Sequence, residues 1–348
     1  MKILIVGDWL YPMYEAAFAQ ALEYQGAEVS KFETSVYFKA ISGRIIAKFP
    51  RFGAWLTSLN RDLLSIATDL RPDWVLLWRC CHVMPNTLNK FRSMGIKIVT
   101  YNHDDPFGLT SKSKVPYHHH FLWHWYLKSL LLSDRNFFAR EVNCQEALRL
   151  GARHVGLMRQ YFVPWLHMPI QLTEEEIRRY GCDIVFAGHY EPDGREEFIQ
   201  TLVSSGLSVK LYGGVYWTSK VLGDAFEYLK PIRTVEGIEY TKALNGAKLC
   251  LALTSTLNRD TFTTRCAEIP ACGRVMLAQR NADLQSMFKE DEEACFFSSN
   301  DELIEKVRWL LANPETRERI AAAGLQRVWI DGHDVFSRSK NFLNLITN

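Results

Sequence analysis

Short apolar runs alternate with amphipathic stretches along almost the whole chain, and this rhythm predicts strands and helices in series. "KILIVGD" has the length and β-branched content of a buried strand, and "YEAAFAQALEYQG" after it has helical spacing and stops on Gly26. "AEVSKFE" predicts a second strand, followed by a helical region around residues 37 to 70. "DWVLLWRC" and "IKIVTYNHD" read as further strands. The helix "PNTLNKFRSMG" lies between them, with proline at its start and glycine at its end. "RNFFARE" and "HVGLMRQYF", with the helix "CQEALRLG" between them, complete the first half. Apolar strands alternating with helices imply a mostly parallel sheet covered on both faces.

The rhythm breaks near residues 163 to 182, where "VPWLHMPIQLTEEEIRRYG" carries two prolines and no strand pattern. It then restarts. "CDIVFAG", "SVKLYGG", "KLCLALT", "RVMLAQ" and "EACFFS" predict five strands interleaved with helices, and three helical segments close the chain. The expected fold class is therefore α/β, with two Rossmann-like domains in tandem facing a cleft. The expected boundaries are 1–165 for the first domain and 166–330 for the second. Residues 331–348 are expected to form a helix that returns toward the first domain. In open parallel sheets, ligands gather at the carboxyl ends of strands, beside the point where the strand order reverses. The loops that follow strands are thus the places to look for chemistry.

Composition narrows the class. A chain of 348 residues exceeds one typical core, and 47% hydrophobic with 23% charged residues is usual for a globular protein. The net charge is +2, with Lys and Arg spread along the chain, so no global field draws it to nucleic acid. None of the eight cysteines forms a Cys-x-x-Cys pair and most sit in apolar runs, which predicts reduced, buried thiols. The N-terminus lacks the length and cleavage site of a signal peptide, and no apolar run reaches the roughly 18 residues of a membrane span. A cytoplasmic protein without a transmembrane segment is expected. The first strand is not followed by Gly-x-Gly-x-x-Gly, and neither a Walker A segment nor a Gly-x-Ser-x-Gly elbow occurs. This argues against nicotinamide-dependent enzymes, nucleoside triphosphatases and esterases.

The most polar loop is "STLNRDTFTT", which joins the strand "KLCLALT" to the short helix "RCAEIPACG". It places Asn258, Arg259 and Asp260 at the carboxyl edge of the second sheet, with Thr263 or Thr264 as the helix N-cap. Backbone N–H groups there can meet an anion, and Arg259 and Arg265 can add charge-assisted bonds to a phosphate. Glu268, about one turn into the helix, can accept two ribose hydroxyls side by side. Taken one at a time, Arg259, Asp260, Arg265 and Glu268 are better read as solvated surface pairs worth about 0–1 kcal/mol each, whereas together, as a loop at a sheet edge, they favour a functional site.

The run "YTKALNGAKLCLALTSTLNRDTFTTRCAEIPACGRVMLA" resembles the C-terminal domain of GT-B glycosyltransferases. More narrowly, it resembles the spore maturation protein CgeB-like family, with its "T-x-R-x-x-E-x-x-A-x-G" helix. "CDIVFAGHYEPDGREEFIQTL" and "PETRERIAAAG" fit the same class, so the resemblance covers most of residues 182 to 340. The first half matches more loosely, through "KILIVGDW" and "YNHDDP". The resemblance implies a sugar donor carried on a nucleotide diphosphate and held by the second domain. In the retaining branch of that class two glutamates eight residues apart flank the donor sugar, and the second binds the ribose. Glu268 matches the second position, and the first falls on Asp260, one methylene shorter. The loop "AGHYEPDGR" corresponds to one that approaches the diphosphate, which makes Gly188, His189 and Arg195 candidates, and Tyr240 lies where the class often meets the base. The resemblance implies no cofactor beyond the nucleotide sugar. No Asp-x-Asp pair demands a divalent cation at a strand end.

The first domain is then expected to hold the acceptor, whether glycan, protein or small molecule. "GDWLYP" places Asp8 at a strand end, and "NHDDPFG" places His103, Asp104 and Asp105 at another. Any of these can serve as general base toward a hydroxyl, and the sequence leaves the base unassigned. Asp105 before proline is also a common turn. "YHHHFLWHWYLKSLLL" is read first as a half-buried helix, second as acceptor contact, and last as a metal site, since no acidic or cysteine partner has ligand spacing. The alternatives to a transferase are a nucleotide-sugar epimerase of the same architecture and a non-catalytic sugar-binding or envelope or spore assembly protein.

Overall fold

The computed structural model describes residues 1–39, 45, 47–51, 53–108 and 117–347. The chain divides into two compact units, Met1–Gln160 with Val335–Asn348, and Tyr161–Asp334. The crossings fall at 160 and 334 rather than at the expected 165 and 330, and the terminal helix belongs to the first unit.

The first unit holds a six-stranded sheet in the order β2-β1-β3-β4-β5-β6, and every pairing is parallel. Its strands are β1 Lys2–Gly7, β2 Glu28–Glu33, β3 Trp74–Trp78, β4 Lys97–Asn102, β5 Arg135–Phe138 and β6 Val155–Leu157. All five residues of β3 are buried, as expected of a strand covered on both faces. The connecting helices are α1 Ala17–Tyr24, α2 Ala54–Leu70, α3 Pro85–Ser93, α4 His124–Leu130 and α5 Glu141–Leu150. Part of the helical region expected at 37 to 70 lies outside the described residues, and α2 accounts for its second half. The histidine-rich run forms a turn of helix and α4, with Trp123 and Tyr126 each 1% exposed, so it packs into the core.

The second unit holds a five-stranded parallel sheet in the order β11-β10-β9-β7-β8. Its strands are β7 Cys182–Ala187, β8 Val209–Tyr212, β9 Ala247–Ala252, β10 Val275–Gln279 and β11 Cys295–Phe297. The period-2 alternation of strand side chains divides its core into two faces. Val185, Cys250 and Met276 pack on one face, while Ile184, Leu249 and Leu277 pack on the other. The helices of this unit include α6 Glu174–Tyr180, α7 Arg195–Ser204, α8 Ile238–Gly246, α9 Arg265–Ala271, α10 Ala282–Met287, α11 Asn300–Ala312 and α12 Pro314–Ile330. Helix α6 rises from the segment without strand pattern because Thr173 and Glu176 form a capping box.

The terminal helix, α13 Val335–Thr347, lies on α1 of the first unit. Phe342 meets Phe18 edge-on at 5.3 Å and Phe137 at 5.7 Å, and Gln25 donates to the Phe336 carbonyl at 3.4 Å. All eight cysteines are free and buried. Among the described residues, no helix is long and apolar enough to cross a membrane.

Candidate functional site

In the second unit the strand order reverses between β7 and β9, so the loops after these strands meet beside the switch point. Arg265, the first residue of α9, lies there. Its Nη1 donates to the Ala187 carbonyl at the end of β7, and its Nη2 donates to the Leu253 carbonyl just past β9, both at 3.3 Å. The guanidinium stands 5.5 Å over the Phe186 ring, and its Nε is buried with no hydrogen-bond partner. Two long bonds to carbonyls leave this cation without a carboxylate partner among the described residues.

Gly188 follows from the same crowding. A Cβ there would stand 2.7 Å from Phe186 Cζ and 3.3 Å from Arg265 Nη1. Its N–H donates to the Tyr212 carbonyl at 2.8 Å, and its carbonyl accepts from Trp217 Nε1 at 2.9 Å. Gly188 therefore serves by its missing side chain, since its N–H is already taken.

Arg195, expected to face a diphosphate, is 3% exposed and bound within its own loop. Its Nε and Nη2 form a fork on Asp193 at 2.7 and 2.6 Å, and its Nη1 donates to the His189 carbonyl at 2.8 Å. The sharp turn at Gly194, φ 89°, folds Asp193 back onto the guanidinium two residues later. His189 Nε2 lies 3.0 Å from Glu191, and Ser255 donates its hydroxyl to the same carboxylate, which ties the β7 loop to the β9 loop. Burial works against the Glu191 charge, but the His189 contact, the Arg195 guanidinium at 3.4 Å and the Ser255 hydroxyl keep its carboxyl below the usual range.

The second loop is a closed turn. The N–H of Asp260 donates to the Ser255 carbonyl at 2.8 Å and that of Arg259, at φ 50°, to Thr256 at 3.2 Å. The N–H of Asn258 donates to Ser255 Oγ at 3.1 Å. Of the two expected N-caps, Thr263 accepts from the Arg265 N–H at 3.3 Å, while Thr264 already has helical angles.

Glu268 is 2% exposed and held from two sides. Tyr240, on α8, donates its hydroxyl to Oε2 at 2.7 Å, and His167 Nε2 lies 3.6 Å from Oε1. His167 Nδ1 accepts from the Val163 N–H at 3.0 Å, so its ring proton sits on Nε2 and faces Glu268. Burial pushes the His167 pKa down against the pull of Glu268, and burial beside that carboxylate pushes the Tyr240 phenol well up. Helix α8 fixes the segment that carries His167. Asn245 accepts from the Ile170 N–H at 3.0 Å and donates to the Met168 carbonyl at 3.1 Å.

In the first unit the switch point lies between β1 and β3. Asp8, just past β1, accepts from Thr34 Oγ1 at 2.6 Å and has Arg79 Nη1 at 3.7 Å. Arg79, just past β3 in the left-handed region at φ 47°, also donates to Asp104. Burial opposes the charge on Asp104, but Arg79 holds its carboxyl well below the usual range. His103 stacks on Tyr14 at 4.9 Å, its carbonyl accepts from Arg140 at 2.7 Å, and its Nδ1 is buried with no hydrogen-bond partner. Burial lowers its pKa to about 4. Asp105 has a structural place: it is 5% exposed and accepts from the Phe107 N–H at 3.0 Å and Asn143 Nδ2 at 2.8 Å. Beneath Asp8, Glu15 accepts the Asp8 N–H at 3.0 Å, and its Oε1 would stand 2.4 Å from a Cβ on Gly7. Burial raises the Glu15 pKa.

Sequence reasoning missed Arg79, Glu15 and His167. Arg79 carried one signal, as the first charged residue after the apolar run "WVLLW". Its importance depends on β3 lying next to β1, which the order of elements alone does not fix.

Residues 195–344 match the family model described as glycosyl transferase-like. Solved structures of the same fold include Anabaena HepE in complex with UDP-glucose, 12% identical, covering 100% of this chain and 99% of that one at a TM-score of 0.68. Sucrose-phosphate synthase from Thermosynechococcus elongatus is 14% identical, with 100% and 98% covered at a TM-score of 0.71. The UDP-GlcNAc 2-epimerase of Neisseria meningitidis bound to UDP-GlcNAc is 13% identical, with 100% of both chains covered at a TM-score of 0.58. A search of curated proteins finds no match. The fold is thus the two-unit α/β type of GT-B glycosyltransferases.

Proposed function

We propose that this protein transfers a glycosyl group from a nucleotide diphosphate to an acceptor hydroxyl. The observation that carries the reading is Arg265, a cation without a carboxylate partner at the β7/β9 switch point, one helical turn from Glu268. Negative charge develops on a leaving diphosphate, and a preorganised guanidinium stabilises it. Arg259 is proposed to share this task, so that no divalent cation is obligatory. Glu268 is proposed to bind the ribose through carboxylate lone pairs that Tyr240 leaves open, with Tyr240 next to the base and Asn258 and Asp260 beside the sugar. Gly188 and His189 then border the diphosphate, while Arg195 keeps their loop in shape. The match to the glycosyl transferase-like model over 195–344 supports this assignment. The UDP-glucose in HepE supports a nucleotide sugar as donor. The segment Thr263–Gly273, which contains α9, keeps the pattern of the CgeB-like family, which is proposed as the narrower affiliation.

In the transfer, the acceptor oxygen bonds to the anomeric carbon as the bond to the diphosphate oxygen breaks. The electron pair leaves with the diphosphate, and the hydroxyl proton passes to a base. The acceptor is proposed to bind at the β1 and β4 ends of the first unit, where Asp8 and neutral His103 are the proton acceptors. A retaining outcome is proposed from the spacing of Asp260 and Glu268, which requires the acceptor oxygen to form its bond on the face from which the diphosphate departs; a hexosyl group is proposed as the group transferred.

The likeness to the Neisseria epimerase favours a second reading, inversion of one sugar carbon without an acceptor. Calorimetric titration with UDP, GDP and dTDP tests the shared nucleotide site, and no heat with any of them overturns it. Incubation with donor sugar alone then separates the two activities: a new nucleotide sugar means epimerase. Transfer to an added acceptor, with the anomeric configuration read by NMR, means transferase.

A further inference from the structure

The first unit carries a second surface, at the opposite end of its sheet from Asp8 and His103. In a parallel sheet each strand begins where a helix has just ended. This amino edge therefore collects the carboxyl ends of α2 to α5. Two adjoining hollows of about 620 and 290 Å³ lie along it, both lined by Trp74 and Lys97. Arg71 lines the larger, and Arg92, Arg135 and Arg153 line the smaller. None of these five cations has a carboxylate partner among the described residues. The two carboxylates in the lining, Asp73 and Asp134, accept the backbone N–H groups of Lys2 and Ile98, each at 2.7 Å.

Basic residues complement helix carboxyl ends, which accounts for part of this charge. It does not account for the aliphatic side chains beside it. Leu131 is 52% exposed, Leu148 50%, Leu150 46% and Met94 38%. Leu131 adjoins the end of α5, because its Cδ2 lies 3.6 Å from the place of a Cβ on Gly151. Arg149 is exposed between Leu148 and Leu150. A nucleotide or a nucleic acid would use the arginines but gain nothing from exposed leucines. A bilayer with anionic headgroups uses both: guanidinium groups reach the phosphates, and leucines enter the boundary below them.

We infer that this amino-edge face docks on an anionic lipid bilayer. The inference does not depend on the proposed transfer reaction. Flotation of the full chain with vesicles of phosphatidylglycerol in phosphatidylcholine, against phosphatidylcholine alone, tests it. Binding is expected to the anionic vesicles only. The exposed triple variant Arg92→Glu/Arg149→Glu/Arg153→Glu should lose roughly 100-fold or more in vesicle affinity. Leu131→Ser/Leu148→Ser should weaken binding that persists at high salt. Lys220→Glu/Arg308→Glu, on the second unit, should change nothing, and thermal melts followed by circular dichroism check that each variant is folded. Absence of binding to anionic vesicles, or equal binding to neutral ones, overturns the inference. So does an equal loss in the second-unit control. If the arginine variant loses binding and the leucine variant does not, the face is a polyanion site, and bilayer docking is also overturned.

Discussion

Tyr240 donates its phenolic proton to Glu268 at 2.7 Å inside the second unit, where Glu268 is 2% exposed and Tyr240 8%. The pair joins α8 to α9, and it orients the carboxylate proposed to meet the ribose. A buried acceptor that loses its donor bears its desolvation cost alone, about 1–3 kcal/mol. Tyr240→Phe is therefore expected to lower stability by about that amount in urea unfolding, and to weaken nucleotide binding less than Glu268→Ala does. Glu268→Ala should reduce UDP affinity by roughly 10- to 100-fold in calorimetry, the worth of charge-assisted hydrogen bonds. Unchanged affinity in Glu268→Ala would remove the ribose role.

Gly188→Ala tests the switch point without touching a charge. The new methyl group meets the Phe186 ring at 2.7 Å and Arg265 Nη1 at 3.3 Å, so the guanidinium must move. Overpacking of this kind costs about 1–3 kcal/mol. The expected result is a lower melting temperature together with weaker UDP binding. A variant that loses stability but binds UDP as the parent does would show that Arg265 does not meet the nucleotide.

The sheets were legible because their strands are continuous apolar runs bounded by turns, and "DWVLLWRC" and "CDIVFAG" needed no tertiary information. The loops after β1, β4, β7 and β9 were legible for the same reason: a strand end locates the loop that follows it. The partners within those loops were not. Arg195 looked free for a phosphate because nothing in "EPDGR" announces that Gly194 turns Asp193 back onto it. His167 reaches Glu268 only because α8 holds a segment with no periodicity of its own, a contact that no local pattern encodes.

Arg195 can be tested as a loop anchor. Its fork on Asp193 is buried, and removing one member of a buried pair leaves an uncompensated charge at a cost of about 3–5 kcal/mol. Arg195→Leu is expected to destabilise the protein on that scale in urea unfolding. Arg195→Leu/Asp193→Leu, which removes both charges, should recover much of the loss. If the double variant is no more stable than the single, the pair does not hold the loop.

His103 gives the first unit a pH signature. Its folded pKa is lowered to about 4 by burial, against about 6.5 for an unperturbed imidazole, so the unfolded chain binds the extra proton first. The stability this group contributes is fully present above about pH 6.5 and is lost as pH falls toward about 4, by up to about 1.4 kcal/mol per pH unit. Glu15, whose pKa burial raises, works in the opposite sense where the ranges overlap, and the buried His82 and His167, whose pKa values burial lowers, add to the same slope as His103. The difference between the parent and His103→Gln isolates the histidine. Urea midpoints measured from pH 7 to pH 4.5 should fall less steeply in the variant, and the imidazole of the folded parent should titrate in NMR near the lower limit. Parallel slopes, or an imidazole titrating near 6.5, would mean that His103 is solvated and that burial does not set its protonation.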